Sequence, residues 1–401
     1  MNSRPVRSSI PVEDAVARIR AWGEAREWRG YDPYDALNSP FTPVLTFGSN
    51  LGRRILTQAV KRSPVNLRPI LGIRPAVNAK ALGLVASGYV RLAAAGDLAA
   101  ASAAAYWLDR LRESAPCWGY HFDVQTRFFR YRAGTPNTIA TSFVAQAFLD
   151  DYEFLGHERS GDVALMTAEF LVDRMLDTAP AGPYFRYLEH EDALVHNANL
   201  LACAVLARAA RCIGVGDLAD RAAAATATTL AAQRSDGSWP YAFGDGRDWV
   251  DNFHTGYVLE SLAECEGLAP DVAEHLALGF DYWERALFLG DGTPRYDSDH
   301  TTPLDAHNYA QAIETWLSIG DRRAGALAAA NRTAALLIAD FLMPEGYVRF
   351  RRGRGWVNNV AFVRWTTAPA FRALARLLLV VARGTAVAAA GSHKDSGARL
   401  D

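Results

Sequence analysis

The feature that most constrains the fold is a pattern that returns along the chain at intervals of about 52 to 60 residues. Each copy has a short segment rich in glycine, proline and aromatic residues, then a loop, then an apolar stretch that begins with polar residues. The polar starts fall near Asn78, Asn137, Asn197, Asn252, His307 and Asn359. An interval of this size fits two helices and two connections, so each copy predicts one helical hairpin.

Hydrophobic periodicity supports helices throughout this region. Apolar residues recur at i, i+3, i+4 and i+7, as on one face of a helix. The predicted helices that follow the polar starts cover residues 81–95, 138–155, 197–211, 253–265 and 306–319. Alanine-rich stretches lie between them at residues 98–111, 217–233 and 322–341. Because no stretch shows the alternation of a convincing strand, the sequence predicts an all-α protein.

The arrangement of the hairpins follows from what one hairpin cannot do alone. A single helical hairpin cannot bury its apolar face, so hairpins stack side by side. Six of them can close into a double ring, and we predict this fold, an (α/α)6 toroid. An open solenoid, the alternative, needs a polar capping repeat at each end, which the sequence lacks. We expect an N-terminal arm and first helices that pack on the toroid over residues 1–60, the toroid over residues 61–385, and a disordered tail over residues 386–401.

Composition and charge exclude several classes of function. Half of the 401 residues are hydrophobic and the formal net charge is −2, which gives no electrostatic case for binding nucleic acid or an anionic membrane surface. Residues 1–20 lack the apolar segment of a secretion signal. The apolar run 368–390 is interrupted by arginines, which indicates a buried helix and no membrane span. We therefore expect a cytoplasmic protein, and the sequence leaves its oligomeric state open.

Two resemblances to known proteins are visible in the sequence. Residues 233–239, Gln-Arg-Ser-Asp-Gly-Ser-Trp, resemble the Gln/Trp repeat of squalene cyclases and protein prenyltransferases, and similar turns occur in sugar enzymes with a helical toroid. The longer resemblance rests on segments spread over nearly the whole chain, at residues 31–38, 61–68, 134–137, 195–199, 249–257 and 303–307. In these segments the chain resembles a bacterial family from polysaccharide-biosynthesis gene clusters. This resemblance implies a toroid of the six-hairpin glycosidase and terpenoid-cyclase-like type and a glycan context, and it assigns no catalytic residue.

The cyclase and prenyltransferase resemblance lacks the residues that those chemistries require. Class II terpene cyclases protonate an alkene with an Asp-x-Asp-Asp motif, which this chain does not contain. A zinc site of the prenyltransferase type would need His254 and Cys265 together, but they lie about 16 Å apart along one predicted helix. No other ligand spacing is diagnostic of a metal, and no glycine-rich phosphate loop is present. We therefore predict no metal and no cofactor.

Three successive helix starts carry the residues that suggest catalysis. Residues 196–199, 251–257 and 305–311 would gather at one mouth of the toroid. Acid–base chemistry requires at least two titratable groups in different environments. The candidate catalytic residues are the carboxylates and histidines of this region and of the first repeated turn: Asp123, Asp251, Asp305, His196, His254 and His307. Asp251 also stands where a helix N-cap belongs, so a structural role explains that residue equally well.

A sugar site needs polar side chains for hydroxyl groups and flat rings for the C–H faces. The candidate substrate-binding residues are Trp118, Tyr120, Gln125, Asn137, Asn197, Asn199, Asn252, Tyr257, Gln311, Arg364 and Trp365. Rings in the repeated turns can instead act as wedges between hairpins, and we expect that role for Trp239. The segment 31–35 mixes turn residues with two carboxylates, so it is either a capped turn or an arm over the mouth.

These residues favour a carbohydrate-active enzyme that works by acid–base catalysis on a small-molecule or glycan substrate. A hydrolase would use two carboxylates across the glycosidic bond. A lyase or uronate epimerase would remove the proton next to a carboxylate with His or Tyr, while Arg or Asn neutralises that carboxylate. The abundance of His, Asn and Tyr at the helix starts favours the second chemistry. The alternatives are a terpenoid cyclase or prenyltransferase-like enzyme, and a non-catalytic glycan-binding protein of polysaccharide assembly.

Overall fold

The computed structural model describes residues 10–269 and 271–396, and in this part the chain is mostly helical. The helices in chain order are α1 (Val12–Glu24), α2 (Thr42–Thr46), α3 (Asn50–Arg62), α4 (Ala79–Ala94), α5 (Leu98–Arg112), α6 (Thr138–Leu155), α7 (Glu158–Phe170), α8 (His196–Ile213), α9 (Gly216–Leu230), α10 (Asn252–Glu264), α11 (Val272–Ala286), α12 (Ala306–Ile319), α13 (Ala326–Phe341) and α14 (Ala368–Ser396).

The helices close into a ring. The inner helices α4, α6, α8, α10, α12 and α14 each pack on the next, and α14 packs on α4. Helices α5, α7, α9, α11 and α13 form the outer layer, each against its own inner partner. The sixth outer position is filled by α1, which packs on α13 and α14. The predicted (α/α)6 toroid is therefore confirmed, and the sixth hairpin joins the two ends of the described chain.

The inner helices are buried because both of their sides face protein. In α4 every residue from Lys80 to Leu92 is buried, and in α6 every residue from Thr138 to Asp151. Small residues let these helices approach closely. At Gly83 an added Cβ would lie 2.9 Å from the carbonyl oxygen of Phe143, which is closer than packed atoms tolerate. Glycine at this position therefore permits the close contact of α4 with α6.

Five of the six predicted helix starts coincide with the start of an inner helix. Asn78 and Asn137 are N-caps, and their side-chain oxygens accept hydrogen bonds from the first turns of α4 and α6. The sixth expectation is wrong. Asn359 lies in a strand, and α14 begins only at Ala368. The reason is that the last connection folds as a β-hairpin before the chain enters the ring.

Short strands occupy the connections that precede the inner helices, contrary to the expectation of none. They are β1 (Val124–Gln125), β2 (Arg130–Tyr131), β3 (Leu176–Ala179), β4 (Gly182–Phe185), β5 (Leu304–Asp305), β6 (Arg349–Gly353) and β7 (Trp356–Ala361). They pair antiparallel as β1–β2, β3–β4 and β5–β6–β7. Most are too short to show the alternation by which a strand is recognised in a sequence.

The C-terminal helix concerns two predictions, the disordered tail and the absence of a membrane span. Helix α14 runs to Ser396, past residue 386, where we expected a disordered tail to begin, and residues 397–401 of that tail lie outside the described residues. Within the described chain, one helical segment, Val363–Thr385, has the length and composition to cross a membrane, and 72% of its apolar 18-residue stretch is buried inside the toroid. The core helix of a globular protein has the same length and composition, so this segment is weak evidence for a membrane span.

Candidate functional site

A cavity of about 250 Å³ lies at the end of the toroid where the inner helices begin. The second residue of five inner helices lines it, and these residues are Lys80, Ile139, Asn197, Phe253 and His307. Successive helix side chains are about 100° apart, so the second position of these five helices shares one orientation toward the axis, and in α10 the next residue, His254, lines the cavity as well. Aromatic rings from the connections complete much of the wall, among them Tyr34, Tyr120, Phe122, Phe128, Phe129, Tyr131, Tyr187, Tyr241, Trp249 and Trp365.

His254 is held in the wall by a carboxylate. Asp251 is the N-cap of α10, and its Oδ1 accepts the main-chain N–H of His254 at 2.9 Å. Its Oδ2 lies 2.6 Å from Nδ1 of the same histidine. A carboxylate accepts, so Nδ1 carries the proton and Nε2 of the neutral ring presents a lone pair. No described residue forms a hydrogen bond with Nε2, which leaves this atom available for a proton of the substrate.

Tyr257 and His307 form a second proton-transfer pair. Nδ1 of His307 lies 2.6 Å from the main-chain oxygen of Trp365, which can only accept. Burial, reinforced by the nearby Lys80, lowers the pKa of His307 well below its usual value, so the ring is neutral. Nε2 therefore carries a lone pair and accepts the hydroxyl proton of Tyr257 across 2.7 Å. The phenol oxygen in turn accepts a hydrogen bond from Nζ of Lys80.

Lys80 is a buried cation that ordinary ion pairing does not explain. Its Nζ lies 3.4 Å from the hydroxyl oxygen of Tyr257 and 4.1 Å from the ring centroid of Phe143. In the described part of the chain no carboxylate lies within ion-pair distance of this amine. Burial, together with the guanidinium of Arg364, lowers the pKa of Lys80 well below its usual value. A carboxylate of a ligand would supply the missing counter-charge.

Arg364 lines the same cavity, but its charge is already balanced. Its guanidinium donates to both carboxylate oxygens of Asp32, with Nη2 2.7 Å from Oδ1, and both side chains are buried. Asp32 belongs to the segment 31–35, so this ion pair fixes that arm to the helical turn that leads into the last inner helix. Tyr34 of the arm lines the cavity, with its ring centroid 5.8 Å from that of Trp365. The arm therefore lies at the mouth of the toroid.

The structure brings together seven of the residues predicted from the sequence. The predicted residues that line the cavity are His254, His307, Tyr120, Asn197, Tyr257, Arg364 and Trp365. The side-chain oxygen of Asn197 is buried and has no hydrogen-bond partner among the described residues. A buried acceptor without a partner is costly, so this atom is suited to a hydroxyl group of a ligand.

None of the three predicted catalytic carboxylates lines the cavity, and Asp251 reaches it only through His254. Asp123 accepts the main-chain N–H of Ala133 at 2.9 Å and thereby fixes the β1–β2 hairpin. Asp305 caps α12 and is fully engaged. Its Oδ2 lies 2.6 Å from Nε of Arg351, and it also accepts the indole N–H of Trp365. Both carboxylates position main chain or rings near the site and do not face the cavity.

Three further candidates are held in the wall between hairpins. The Nδ1 atom of His196 lies 3.2 Å from the hydroxyl oxygen of Thr229, and burial lowers the pKa of this histidine to about 4. Asn199 also bonds to Thr229, at 2.9 Å. Trp118 was expected in the pocket, but its indole N–H donates to the main-chain oxygen of Leu111 at 3.0 Å, so its ring is a wedge. The hydrogen bonds that these three residues form join inner helices or repeated turns to outer helices.

The remaining amide candidates also have structural roles. Asn137 caps α6, and Asn252 donates to a main-chain oxygen of the following connection at 2.7 Å. Gln311 lies deeper in the ring, where its amide donates to a carboxylate oxygen of Glu260 at 2.7 Å. Gln125 lies on β1 beside a separate surface pocket. None of these four faces the cavity because each lies on the wrong side or at the wrong depth of its element.

The cavity residues that the sequence analysis did not predict occupy equivalent positions in successive repeats. Lys80 is the second residue of α4, where the equivalent residues of the other inner helices also face the axis. Tyr187 and Tyr241 stand in the two repeated turns that follow the turn of the predicted Tyr120, and both line the cavity. In the described residues no group of three His, Cys, Asp or Glu side chains is placed to hold a metal ion.

Comparison with known proteins identifies the fold. The sequence matches no protein-family model. No curated protein sequence matches it either. Solved structures do match. An unsaturated glucuronyl hydrolase specific for heparin has a TM-score of 0.61 at 13% identity, covering 92% of this chain and 96% of its own.

Two further solved structures support the same architecture. The cellobiose 2-epimerase of Bacillus thermoamylovorans has a TM-score of 0.58 at 13% identity, over 76% of this chain and 87% of its own. A possible member of glycoside hydrolase family 105 from Salmonella enterica serovar Paratyphi A has a TM-score of 0.59 at 15% identity, over 96% and 97%. At these identities the likeness establishes the six-hairpin toroid.

Proposed function

We propose that this protein is a carbohydrate-active enzyme that removes a proton from the carbon next to the carboxylate of an acidic sugar. One observation supports this reaction above hydrolysis. In the described residues the cavity is lined by imidazole, phenol and amine groups and by no Asp or Glu side chain. A glycoside hydrolase of the usual kind needs two carboxylates on either side of the bond. The groups that face this cavity are those that transfer protons to and from carbon.

Each polar group has a role in such a reaction. Nε2 of His254 takes the proton from carbon, and Asp251 stabilises the imidazolium that forms. The ammonium of Lys80 neutralises the substrate carboxylate, which takes up negative charge as the proton leaves. Tyr257 shares the proton chemistry with His307. Return of a proton to the other face of the carbon gives an epimer, whereas loss of a leaving group from the next carbon gives an unsaturated sugar.

The surroundings of these groups also support a sugar. Rings such as Tyr241 and Trp249, stacked with their centroids 4.4 Å apart, offer flat faces to C–H groups. Three solved enzymes that share the fold are named for action on glucuronyl, cellobiose or glycoside substrates. The resemblance to a bacterial polysaccharide-biosynthesis family supports a cytoplasmic role in glycan assembly. A terpenoid substrate is less suited, because Lys80 and Arg364 would be buried against an apolar chain.

The proposal is tested with the full chain and a panel of hexuronate-containing oligosaccharides in D2O. The matched controls are the same oligosaccharides after chemical reduction of their carboxyl groups to alcohols. Three products are measured: deuterium at the carbon next to the carboxylate, ultraviolet absorbance of a new carbon–carbon double bond, and new reducing ends. We expect deuterium for epimerisation or absorbance for elimination, and neither with the reduced sugars.

Other outcomes would overturn the proposed reaction. New reducing ends without deuterium or absorbance would show hydrolysis. Equal turnover of the carboxyl-reduced sugars would remove the role of the substrate carboxylate. Affinity for the acidic sugars without any product, also after prolonged incubation, would favour the non-catalytic glycan-binding alternative.

A further inference from the structure

In the described part of the chain, large exposed apolar side chains are concentrated in one segment. Residues 41–70, which include α2 and α3, hold eight of the 19 exposed large hydrophobic side chains in the described chain. They are Phe41, Val44, Leu45, Phe47, Leu51, Ile55, Val65 and Ile70. Scattered single residues of this kind are ordinary on a protein surface, but a contiguous group marks a binding surface. We call residues 41–70 the apolar rim.

Phe47 is the clearest case of a residue that packing within the chain does not explain. Its side chain is 93% exposed, and its φ of 48° places it in the left-handed region. A bulky residue in this region is strained, with a cost of about 1 kcal/mol or more. It ends α2, and Gly48 follows it with a φ of 67°. The tight turn therefore projects a phenyl ring away from the toroid.

The charged side chains of the apolar rim are all basic. No Asp or Glu occurs from residue 36 to residue 96. On α3 the exposed residues Leu51 and Ile55 are one turn apart, and the exposed Arg54 and Arg62 lie on the same side. The helix side that faces the protein contains Val60. The near-zero net charge of the whole chain hides this local excess of positive charge.

The apolar rim adjoins the cavity. Nζ of Lys61, in the last turn of α3, donates to the hydroxyl of Tyr34, which lines the cavity. The same amine lies 5.7 Å from the ring centroid of Trp365. Beyond the helix, Asn358 donates to the main-chain oxygen of Ser63 at 2.8 Å, which joins the rim to strand β7. A partner seated on the rim would therefore lie beside the mouth of the toroid.

We propose that the apolar rim binds the surface of a membrane that contains anionic lipids. Phe47, Leu51 and Ile55 would enter the boundary between headgroups and acyl chains, and Arg54 and Arg62 would contact lipid phosphates. Exposed apolar side chains combined with basic side chains, and without acidic ones, match such a surface and are less suited to a purely apolar protein face. Combined with the proposed function, this binding would place the glycan chemistry next to a bilayer. This inference is independent of the reaction proposed above.

The test is flotation of the full chain with vesicles of phosphatidylglycerol mixed with phosphatidylcholine, and with vesicles of phosphatidylcholine alone. We expect binding to the anionic vesicles that weakens as salt is raised. The variant Arg54→Gln/Arg62→Gln should bind about 25-fold more weakly, because each basic residue near an anionic surface contributes about a five-fold factor. Phe47→Ser and Ile55→Ser should also reduce binding, while Leu98→Ser, an exposed apolar control on α5, should not.

Several results would overturn the inference. Equal binding to neutral and anionic vesicles, or no binding to either, would contradict it. So would wild-type binding of the three rim variants, Arg54→Gln/Arg62→Gln, Phe47→Ser and Ile55→Ser. Light scattering on the same samples tests a second occupant. If Phe47→Ser and Ile55→Ser convert a dimer to a monomer and vesicle binding is absent, the rim is an interface between two copies of the chain.

Discussion

The hydroxyl oxygen of Tyr257 lies 2.7 Å from Nε2 of His307, on a neighbouring inner helix. The direction of this hydrogen bond is fixed from the far side of the imidazole, where the main-chain oxygen of Trp365 accepts from Nδ1. A neutral histidine thus accepts the hydroxyl proton of the phenol. Burial raises the pKa of Tyr257 and lowers that of His307, so the proton rests on the phenol oxygen, as the acid of the proposed reaction requires.

Removal of the phenol hydroxyl of Tyr257 should reduce catalysis far more than it reduces stability. We expect Tyr257→Phe to lower kcat by about 100-fold or more, as for the loss of an acid–base group. The unfolding free energy should fall by about 1–3 kcal/mol, because Nε2 of His307 is left without a donor. Steady-state kinetics and thermal melts measure both effects. Tyr106→Phe, an exposed control, should change neither quantity, and normal turnover by Tyr257→Phe would remove this residue from the mechanism.

Asp251 has two roles that two substitutions can separate. Asn is as good an N-cap as Asp, so Asp251→Asn should keep the start of α10 and its stability. It loses the charge that stabilises the protonated His254, so kcat should fall by about 100-fold. Asp251→Ala should lose activity and about 1 kcal/mol of stability as well. Asp97→Ala, at the equivalent cap of α5, should lose stability alone. Full activity of Asp251→Asn would show that Asp251 is only a cap.

The sequence predicts the ring better than it predicts which residues face the axis. The repeat interval and the hydrophobic period place the inner helices, because both depend on local spacing. Which side chains face the axis depends on the rotation of each helix, and a shift of one residue changes it. Asn197 and Asn199 are only two residues apart, but that is about 200° around α8, so one lines the cavity and the other bonds to an outer helix. Once the phase is known, the second position of each inner helix identifies Lys80 as well.

Two other differences have physical reasons of their own. Trp118 and Trp239 occupy similar repeated turns, and each indole N–H donates to the end of the preceding outer helix, to Leu111 and Thr229. The wedge role expected for Trp239 therefore applies to both. The pairing of Asp32 with Arg364 joins residues 332 positions apart. Closure of the ring brings them together, and no local pattern in the sequence predicts such a contact.

We expect Lys80 to lower the stability of the folded protein and to strengthen its binding of acidic sugars. Its pKa is lowered in the folded protein by burial, so between the folded and the unfolded pKa the unfolded chain binds more protons at this site than the folded one. Stability should therefore rise with pH as the solution approaches the unfolded pKa of about 10.4. We expect Lys80→Met to melt at a higher temperature at pH 7 and to flatten this rise.

The same variant tests the role of Lys80 in binding. We expect Lys80→Met to raise KM for acidic sugars while leaving the weak affinity for their carboxyl-reduced forms unchanged. The contrast is measured by titration calorimetry and kinetics with both sugar series. A variant that melts lower and retains its preference for acidic sugars would contradict both parts of the prediction.

His196 should control part of the acid stability of the fold. Its pKa is about 4 in the folded protein because of burial, against about 6.5 when unfolded. Its contribution is therefore present above pH 6.5 and is lost as the pH falls toward 4, by about 3 kcal/mol in total. Asp35, with a pKa raised to about 6 by burial, acts in the opposite direction over the same range. Denaturant melts should show the difference between wild type and His196→Gln growing with pH from 4 to 6.5, and a constant difference would contradict the prediction.

The ion pair between Asp32 and Arg364 should fix the arm at the mouth. Both groups are buried, so Asp32→Asn leaves an uncompensated guanidinium and should cost about 3–5 kcal/mol. Removal of both charges in Asp32→Asn/Arg364→Met should cost less than the sum of the single changes, which a double-mutant cycle in urea measures. Glu284→Gln, which breaks the exposed pair with Arg323, should cost less than about 1 kcal/mol. Additive single costs at the buried pair would show that Asp32 and Arg364 do not hold each other. In that case the arm depends on Lys61 and Tyr34 instead.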